Sequence, residues 1–268
     1  MEKTPEAIAA ISDPGEVGRA GHNRGDRFIV GVSNIFAWVY PLLMVVIVAQ
    51  VILRSAGHNQ AWMDDLQWWL YGVAVLVGIA YAATTNSHVR VDIFYDHYDA
   101  PKQYRTEILA LAWCFLPFIL VCWDVTLHYA ISSVQIDEGS SSPNGLHNLW
   151  ILKIAMNVSF ALIAVAAWSA YLRYLSKLTK PVLWKQLFYA LPTTAFAMNL
   201  AVYYVLWWGV WLTSPEGTNA RQVGRHALFD DFEFGAYDIK YTVVISLVLT
   251  AVVIGLARAL SRGDAAKG

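Results

Sequence analysis

Along the chain, apolar residues gather into six long runs separated by polar segments: Ile29 to Leu53, Leu66 to Thr84, Ile108 to Val134, Leu149 to Leu175, Leu187 to Leu212, and Tyr241 to Leu256. A helix needs about 20 mostly apolar residues to cross a bilayer core, and most of these runs come close to that length with few or no charges. The pattern predicts an all-α integral membrane protein with six transmembrane helices. Proline has no N–H to give to the preceding turn, so Pro41 predicts a kink in the first run and Pro192 one near the start of the fifth. Pro117 lies inside the third run. The second run is short, about 28 Å at the helical rise, which predicts a helix close to the membrane normal.

The polar segments between the runs predict how each crossing begins and ends. Residues 1–28 are polar, with Pro5, Pro14 and several glycines, and contain no apolar stretch followed by a small-residue cleavage site. They predict an unordered tail, with the first crossing serving as an uncleaved insertion signal. Asp64 and Asp65 open the second run, and the polar collar Thr84-Thr85-Asn86-Ser87 closes it. Val91, Phe94, Tyr95 and Tyr98 then follow the i, i+3, i+4, i+7 spacing of a short amphipathic helix on the membrane surface, which Pro101 is expected to stop. Gln135 to Asn148 is acidic and rich in Gly, Ser and Pro, as a surface loop is. Thr213 to Asp238 is a longer polar segment, with an amphipathic helical piece expected around Ala227 to Phe234. The resulting domain scheme is a tail over 1–28, a four-helix membrane domain over 29–175, an added two-helix hairpin over 176–257, and a tail over 258–268.

Composition narrows the class. The chain is 57% hydrophobic and 15% charged over 268 residues, less charge than a soluble domain of this length carries. The net charge of −1 leaves no bulk attraction for nucleic acid. Cys114 and Cys122 lie in one predicted helix, roughly 12 Å apart by its rise, too far for a disulfide. Six crossings place both termini on one side. Most of the 19 basic residues fall on that side, and Arg54, Lys153, Arg221, Arg225 and Lys240 fall on the other. By the positive-inside rule both termini are expected in the cytoplasm.

Few residues carry candidate chemistry. Asp124 is the one acid deep within a predicted crossing, and His128 follows one turn later on the same face. An intramembrane ionisable group is a functional candidate by default, and a hydrogen-bonded Asp that holds helices together is the competing reading. Asp64 and Asp65 either complement the positive end of their helix or pair with Arg54 or with a partner protein. Arg54 itself has the position of an interfacial anchor. No His or Cys at ligand spacing accompanies the two acids, so they do not make a metal set.

The stretch from Arg54 to Pro101 carries a more specific pattern. Arg54 ends the first crossing, and Trp62-Met63-Asp64-Asp65 opens the next. Gly78 lies within that helix, His88-Val89-Arg90-Val91-Asp92 follows it, and Pro101 closes the stretch. In this order the residues resemble the small membrane (Q-type) subunit of tripartite ATP-independent periplasmic (TRAP) transporters. The loop Gly139-Ser140-Ser141-Ser142-Pro143, followed by Trp150, is similar to that family's outer loop. The resemblance covers about Ile29 to Leu175. It departs from the family's usual pattern in having Asp where Glu is usual in the acidic pair, and in adding two helices to the usual four.

The resemblance implies a non-catalytic subunit in a bacterial inner membrane, without cofactor. A periplasmic binding protein would deliver an organic acid. A large (M-type) membrane subunit would carry it inward with sodium, and the small subunit would brace the large one among the membrane lipids. Arg54, Trp62, Asp64, Asp65, Gly78, His88, Arg90 and Asp92 would then form a structural signature that fixes helix ends and contacts the large subunit. Two other readings stand beside this one. A haem-bearing redox subunit needs paired histidines at membrane depth, where the sequence offers His128 alone. A self-sufficient carrier needs polar residues facing one another at mid-membrane, and Asp124 is the one good candidate. No pair of discontinuous helices of the kind that builds a transporter's own substrate site is legible.

Overall fold

A computed structural model describes residues 14–88, 93, 95–215, 217–234 and 237–265. Six helices among them are long and apolar enough to cross a membrane, and the chain is an all-α multi-pass membrane protein. It divides into two compact units, Met1–Leu178 and Thr179–Gly268.

Among the described residues, the first elements of this unit are a short helix, α1 (Pro14–Val17), and a 3-10 turn, Arg19–Gly21. The first crossing follows in two pieces, α2 (Arg24–Phe36) and α3 (Val39–Ser55). The second crossing is α4 (Ala61–Thr85). The third starts as α5 (Ala100–Leu109), passes through a π-helical turn over Ala110–Phe115, and continues as α6 (Leu116–Gln135). The fourth is α7 (Trp150–Leu178), the central helix, which packs against α2, α4, α5 and α6. Small residues make that possible: Ala166, Ala167, Ser169 and Ala170 are all buried and let neighbouring backbones approach. The core joins Ile29, Ala80, Ile119, Ile163 and Ala166 from four helices.

The prolines act as their chemistry requires, with shifts in place. Pro41 cannot donate to Ala37 four residues back, and the helix breaks at Ala37 and Trp38. Ala37 instead accepts from the Tyr40 N–H at 3.2 Å, so the break closes on itself. Pro117 follows the π turn, which relieves its clash with the turn before it. Pro101 was expected to end a helix. It stands in the first turn of α5, where a missing N–H costs nothing.

Two other expectations change. Residues 14–28 are folded: Asn23 caps α2, and Asp26 in its first turn is completely buried. Polar composition hid this, because these residues are held by contacts with distant helices. The second crossing is longer than the apolar run, since α4 takes in Trp62, Asp64 and Asp65 and has 25 residues. Of the segment expected to form an amphipathic helix, residues 89–92 and 94 lie outside the described residues, and Tyr95–His97 form a single 3-10 turn.

The second unit contains α8 (Leu183–Tyr189), α9 (Leu191–Thr213), α10 (Ala220–Val223) and α11 (Tyr241–Ala265). Pro192 sits in the first turn of α9, and the chain breaks at Ala190 rather than merely bending. α9 packs along α11, whose buried Thr242, Ser246 and Thr250 recur every four residues. The Ser246 hydroxyl reaches Asn199 Oδ1 on α9 at 3.3 Å. The stretch Ala227 to Phe234 is not a helix. Ala227–Phe229 is a 3-10 turn, and β1 (Asp231–Phe234) pairs antiparallel with β2 (Tyr237–Lys240), with Asp231 opposite Lys240 and Phe232 opposite Ile239. The alternation of acidic and apolar residues has the period of a strand, and pairing fixes it.

Candidate functional site

Polar side chains of the first unit gather at the two ends of α4, and each group ties one element to another. At the C-terminal end of α4, Asn23 and Asp26 form a reciprocal capping box at the start of α2, both hydrogen bonds measuring 3.1 Å. The Asn23 amide also donates to the Ser169 carbonyl at 2.9 Å, and the Ser169 hydroxyl donates to Asn23 Oδ1. Gly25 is the residue that allows this approach, because a Cβ there would lie 2.6 Å from Ser169 Oγ. Arg173 then reaches two elements at once. Its Nη1 lies 2.8 Å from Asp26 Oδ2, and its Nη2 donates to the Thr84 carbonyl at 2.9 Å.

The polar collar completes this end. Asn86 takes up the left-handed conformation (φ 55°) that terminates α4, and its side chain accepts from the Tyr174 hydroxyl at 3.1 Å. His22 is buried beside the cluster. Burial pushes its imidazole below the usual value, and the positive charges of Arg173 and Arg27 add to this against the pull of Asp26 and Glu16.

At the N-terminal end of α4 the acidic pair divides its work. Asp64 accepts from the buried Gln50 amide at 2.5 Å, and Gln50 in turn accepts from Gln67, so α3 and α4 are joined by side chains alone. Asp65 accepts from the Leu146 N–H at 2.9 Å and so holds the loop between α6 and α7. A Cβ on Gly145 would stand 2.5 Å from Asp65 Oδ2 and 2.8 Å from Ser140 Cβ, so glycine is what lets the loop close over the carboxylate. The other side of the loop is fastened by Glu138, which pairs with the buried Lys153. Lys153 Nζ also lies 3.6 Å from the Tyr129 ring centroid. The hydrogen bond from Lys153 holds the Glu138 carboxyl below its usual range.

The remaining signature residues are more dispersed. Arg54 is exposed in the last turn of α3 and makes no ion pair among the described residues; of the readings open for the acids, the one that pairs them with Arg54 gives way to contacts with Gln50 and the Leu146 N–H. Trp62 is exposed and donates to Gln60 at 3.1 Å. Gly78 lines a cavity of about 380 Å³ with Ser33, Asn34, Tyr40 and Tyr81, and a Cβ there would meet the Tyr40 hydroxyl at an ordinary 3.7 Å. His88 is exposed beyond the end of α4 and lines a second cavity of about 380 Å³ with Asn86, Glu107, Leu111 and Phe115. Arg90 and Asp92 lie outside the described residues. Asp124 is half-buried and His128 exposed on α6, and next to them Asn157 of α7 donates to the Trp123 carbonyl at 2.7 Å and to the Thr126 hydroxyl at 2.9 Å. Cys114 and Cys122 are free thiols. No group of three His, Cys, Asp or Glu residues among the described residues could hold a metal ion.

Nothing in the sequence pattern pairs Asp26 with Arg173 or Glu138 with Lys153. The available signals were the arginine near the end of a membrane helix and the lysine at the start of the same helix.

Residues 43–177, half of the chain, match a family model described as "Tripartite ATP-independent periplasmic transporters, DctQ component". The chain belongs to this family. It is a TRAP transporter small permease component, and the family is a transporter component rather than an enzyme family. No curated protein and no solved structure matches the chain. The DctQ match begins within α3 and ends at the last turn of α7. It therefore includes Arg173, the acidic pair, the Gly145 loop and Lys153. Asp26 and the whole second unit lie outside it.

Proposed function

We propose that this DctQ-family chain is the fixed, non-transporting subunit that braces the large membrane subunit of its TRAP transporter in a bacterial inner membrane. A periplasmic binding protein supplies an organic acid, and the large subunit carries it inward with sodium. Both termini face the cytoplasm, in keeping with the excess of basic residues on that side.

One observation supports the bracing role above the others. The buried charges of the first unit tie helix ends and loops together, Asp26 to Arg173 and Lys153 to Glu138. Neither pair lines either of the two cavities described. The break at Ala37 and Trp38 is bridged by the chain's own backbone, the Tyr40 N–H donating to the Ala37 carbonyl and the Leu42 N–H to that of Trp38. A unit made stiff in this way suits a frame against which another subunit moves. The second unit either enlarges that frame or forms a subunit or lipid interface.

The test is purification of the tagged chain in mild detergent, with mass spectrometry of what accompanies it. A large polytopic membrane protein in fixed ratio, with uptake lost when the chain is deleted, is the expected result. Uptake by the chain reconstituted alone would overturn the proposal.

A further inference from the structure

The second unit has an unusual distribution of charge. From Thr179 to Pro215, and again along Tyr241 to Ser261, there is no Asp or Glu. Within these stretches the basic residues are Lys180, Lys185 and Arg258. α8 packs on α11, and this brings Lys185 and Arg258 to one aromatic ring: Lys185 Nζ lies 5.8 Å and Arg258 Cζ 5.3 Å from the Trp184 centroid. Lys180 is exposed on the approach to α8, and Arg258 is exposed on α11. Of the acids of the unit, Asp230, Asp231, Glu233 and Asp238 lie in and beside the hairpin that precedes α11, Glu216 follows α9, and Asp264 stands near the end of α11, six residues beyond Arg258; Lys240 is already paired with Asp231 at 3.3 Å.

Beside this positive charge lies apolar surface. Phe188 stands one turn from Trp184 on α8 and is 51% exposed, and Leu183 is 58% exposed. The break at Ala190 sets α8 apart from the membrane-spanning α9. Fixed positive charge, an indole and exposed apolar side chains at the end of a spanning helix pair together match one chemistry. That chemistry is a phosphate-bearing headgroup with acyl chains attached.

We propose that Lys185 and Arg258 at Trp184, with Lys180 on the approach to α8, form a binding site for an anionic phospholipid that anchors the second unit in the membrane. The charges hold the phosphate, and Trp184, Leu183 and Phe188 lie against the glycerol and upper acyl region. Charge complementarity favours an acidic lipid over a zwitterionic one, since Thr179 to Pro215 and Tyr241 to Ser261 carry three basic residues and no acid to receive an ammonium group.

The experiment uses the full-length chain in detergent. Phosphatidylglycerol and phosphatidylcholine of matched chain length are titrated in, and retained lipid is read by native mass spectrometry. The wild-type chain is expected to retain phosphatidylglycerol preferentially. Each basic side chain near an anionic headgroup changes affinity about fivefold, so the K185Q/R258Q variant should lose most of that preference. Trp184→Leu keeps the charges and should weaken retention of both lipids. Lys240→Gln, at the hairpin, should leave the preference intact. Circular dichroism and a monodisperse elution profile establish that each variant is folded. Undiminished preference in K185Q/R258Q would overturn the proposal, as would equal retention of the two lipids by the wild type. So would displacement of phosphatidylglycerol by an acidic segment of a copurified subunit. Each of these results leaves the scaffold reading untouched, because copurification and uptake test that separately.

Discussion

Asp26 and Arg173 form an ion pair at 2.8 Å in which the Asp26 side chain is wholly buried and that of Arg173 is 10% exposed. The pair joins the first turn of α2 to the last part of α7, and Arg173 extends it to the end of α4 through the Thr84 carbonyl. A buried pair of this kind adds little over an apolar pair of the same size, but losing one partner is costly because it strands the other charge. Asp26→Ala is expected to destabilise the chain by about 3–5 kcal/mol, read as a large fall in the thermal midpoint in detergent. Replacing both residues with apolar ones, Asp26→Leu with Arg173→Met, should recover much of the loss. A single variant as stable as the wild type would contradict the pairing.

Closure of the outer loop depends on Asp65 and Gly145. In Gly145→Ala the new methyl would collide with Asp65 Oδ2 and with Ser140, at a cost of about 1–3 kcal/mol if the loop has to shift. Asp65→Ala removes the acceptor of the Leu146 N–H. Both variants should raise hydrogen exchange at Leu146 by at least tenfold, and Asp64→Ala should not. Exchange at Leu146 that is the same in Asp65→Ala and wild type would show that the loop is held by something else.

His22 makes the folded end of the bundle sensitive to pH. Burial lowers its folded pKa, so below the ordinary value of about 6.5 the unfolded chain takes up the proton more readily. The stability it contributes is complete above that value and declines as pH falls through the lowered folded value. Thermal midpoints at pH 7.5 and 5.5 should therefore differ more for the wild type than for His22→Gln. Equal differences would remove His22 from the account.

Glu138 acts at lower pH and in the sense usual for a carboxylate. Its folded pKa is depressed by the hydrogen bond from Lys153. Its contribution is present above the ordinary carboxylate value and is lost as pH falls through the lowered one. Glu138→Gln should reproduce at pH 7 the loop opening that acid causes in the wild type, because either change leaves the buried Lys153 ammonium without its counter-charge. The readout is proteolysis between Ser140 and His147. Identical cleavage of the variant and the wild type at pH 7 would contradict it.

The acidic pair is also the place to test assembly. Asp64 is exposed although it accepts from Gln50, and Asp64→Lys is expected to reduce copurification of the large subunit severalfold. The variant's own elution profile serves as the control for folding. Unchanged recovery of the large subunit would leave Asp64 with an internal role only.

Much was legible before any coordinates. The six apolar runs correspond to the six long helices because a bilayer requires the backbone to bond internally, which makes hydropathy a direct reading of the elements. The polar collar Thr84-Thr85-Asn86-Ser87 marks the end of the second crossing in the sequence, and the structure shows Asn86 in the left-handed conformation that terminates α4. The positions of breaks were less legible. Pro41 and Pro192 showed that the helices are interrupted, and neighbouring hydrogen bonds decided that the interruptions fall at Ala37–Trp38 and Ala190.

The sequence by itself determined the class of the protein, the number of its crossings and the family to which it belongs, because these depend on local apolar content and on the order of a few motifs. Tertiary structure alone decided what the polar residues do. Asp65 could equally have faced Arg54, the helix dipole or solvent, and it holds the Leu146 N–H. Asp26 belonged to a segment that looked unordered, and it is buried against Arg173. The physical reason is the same in both cases: a charge in an apolar setting takes whichever partner the fold brings within hydrogen-bond reach, and that partner can lie anywhere along the chain.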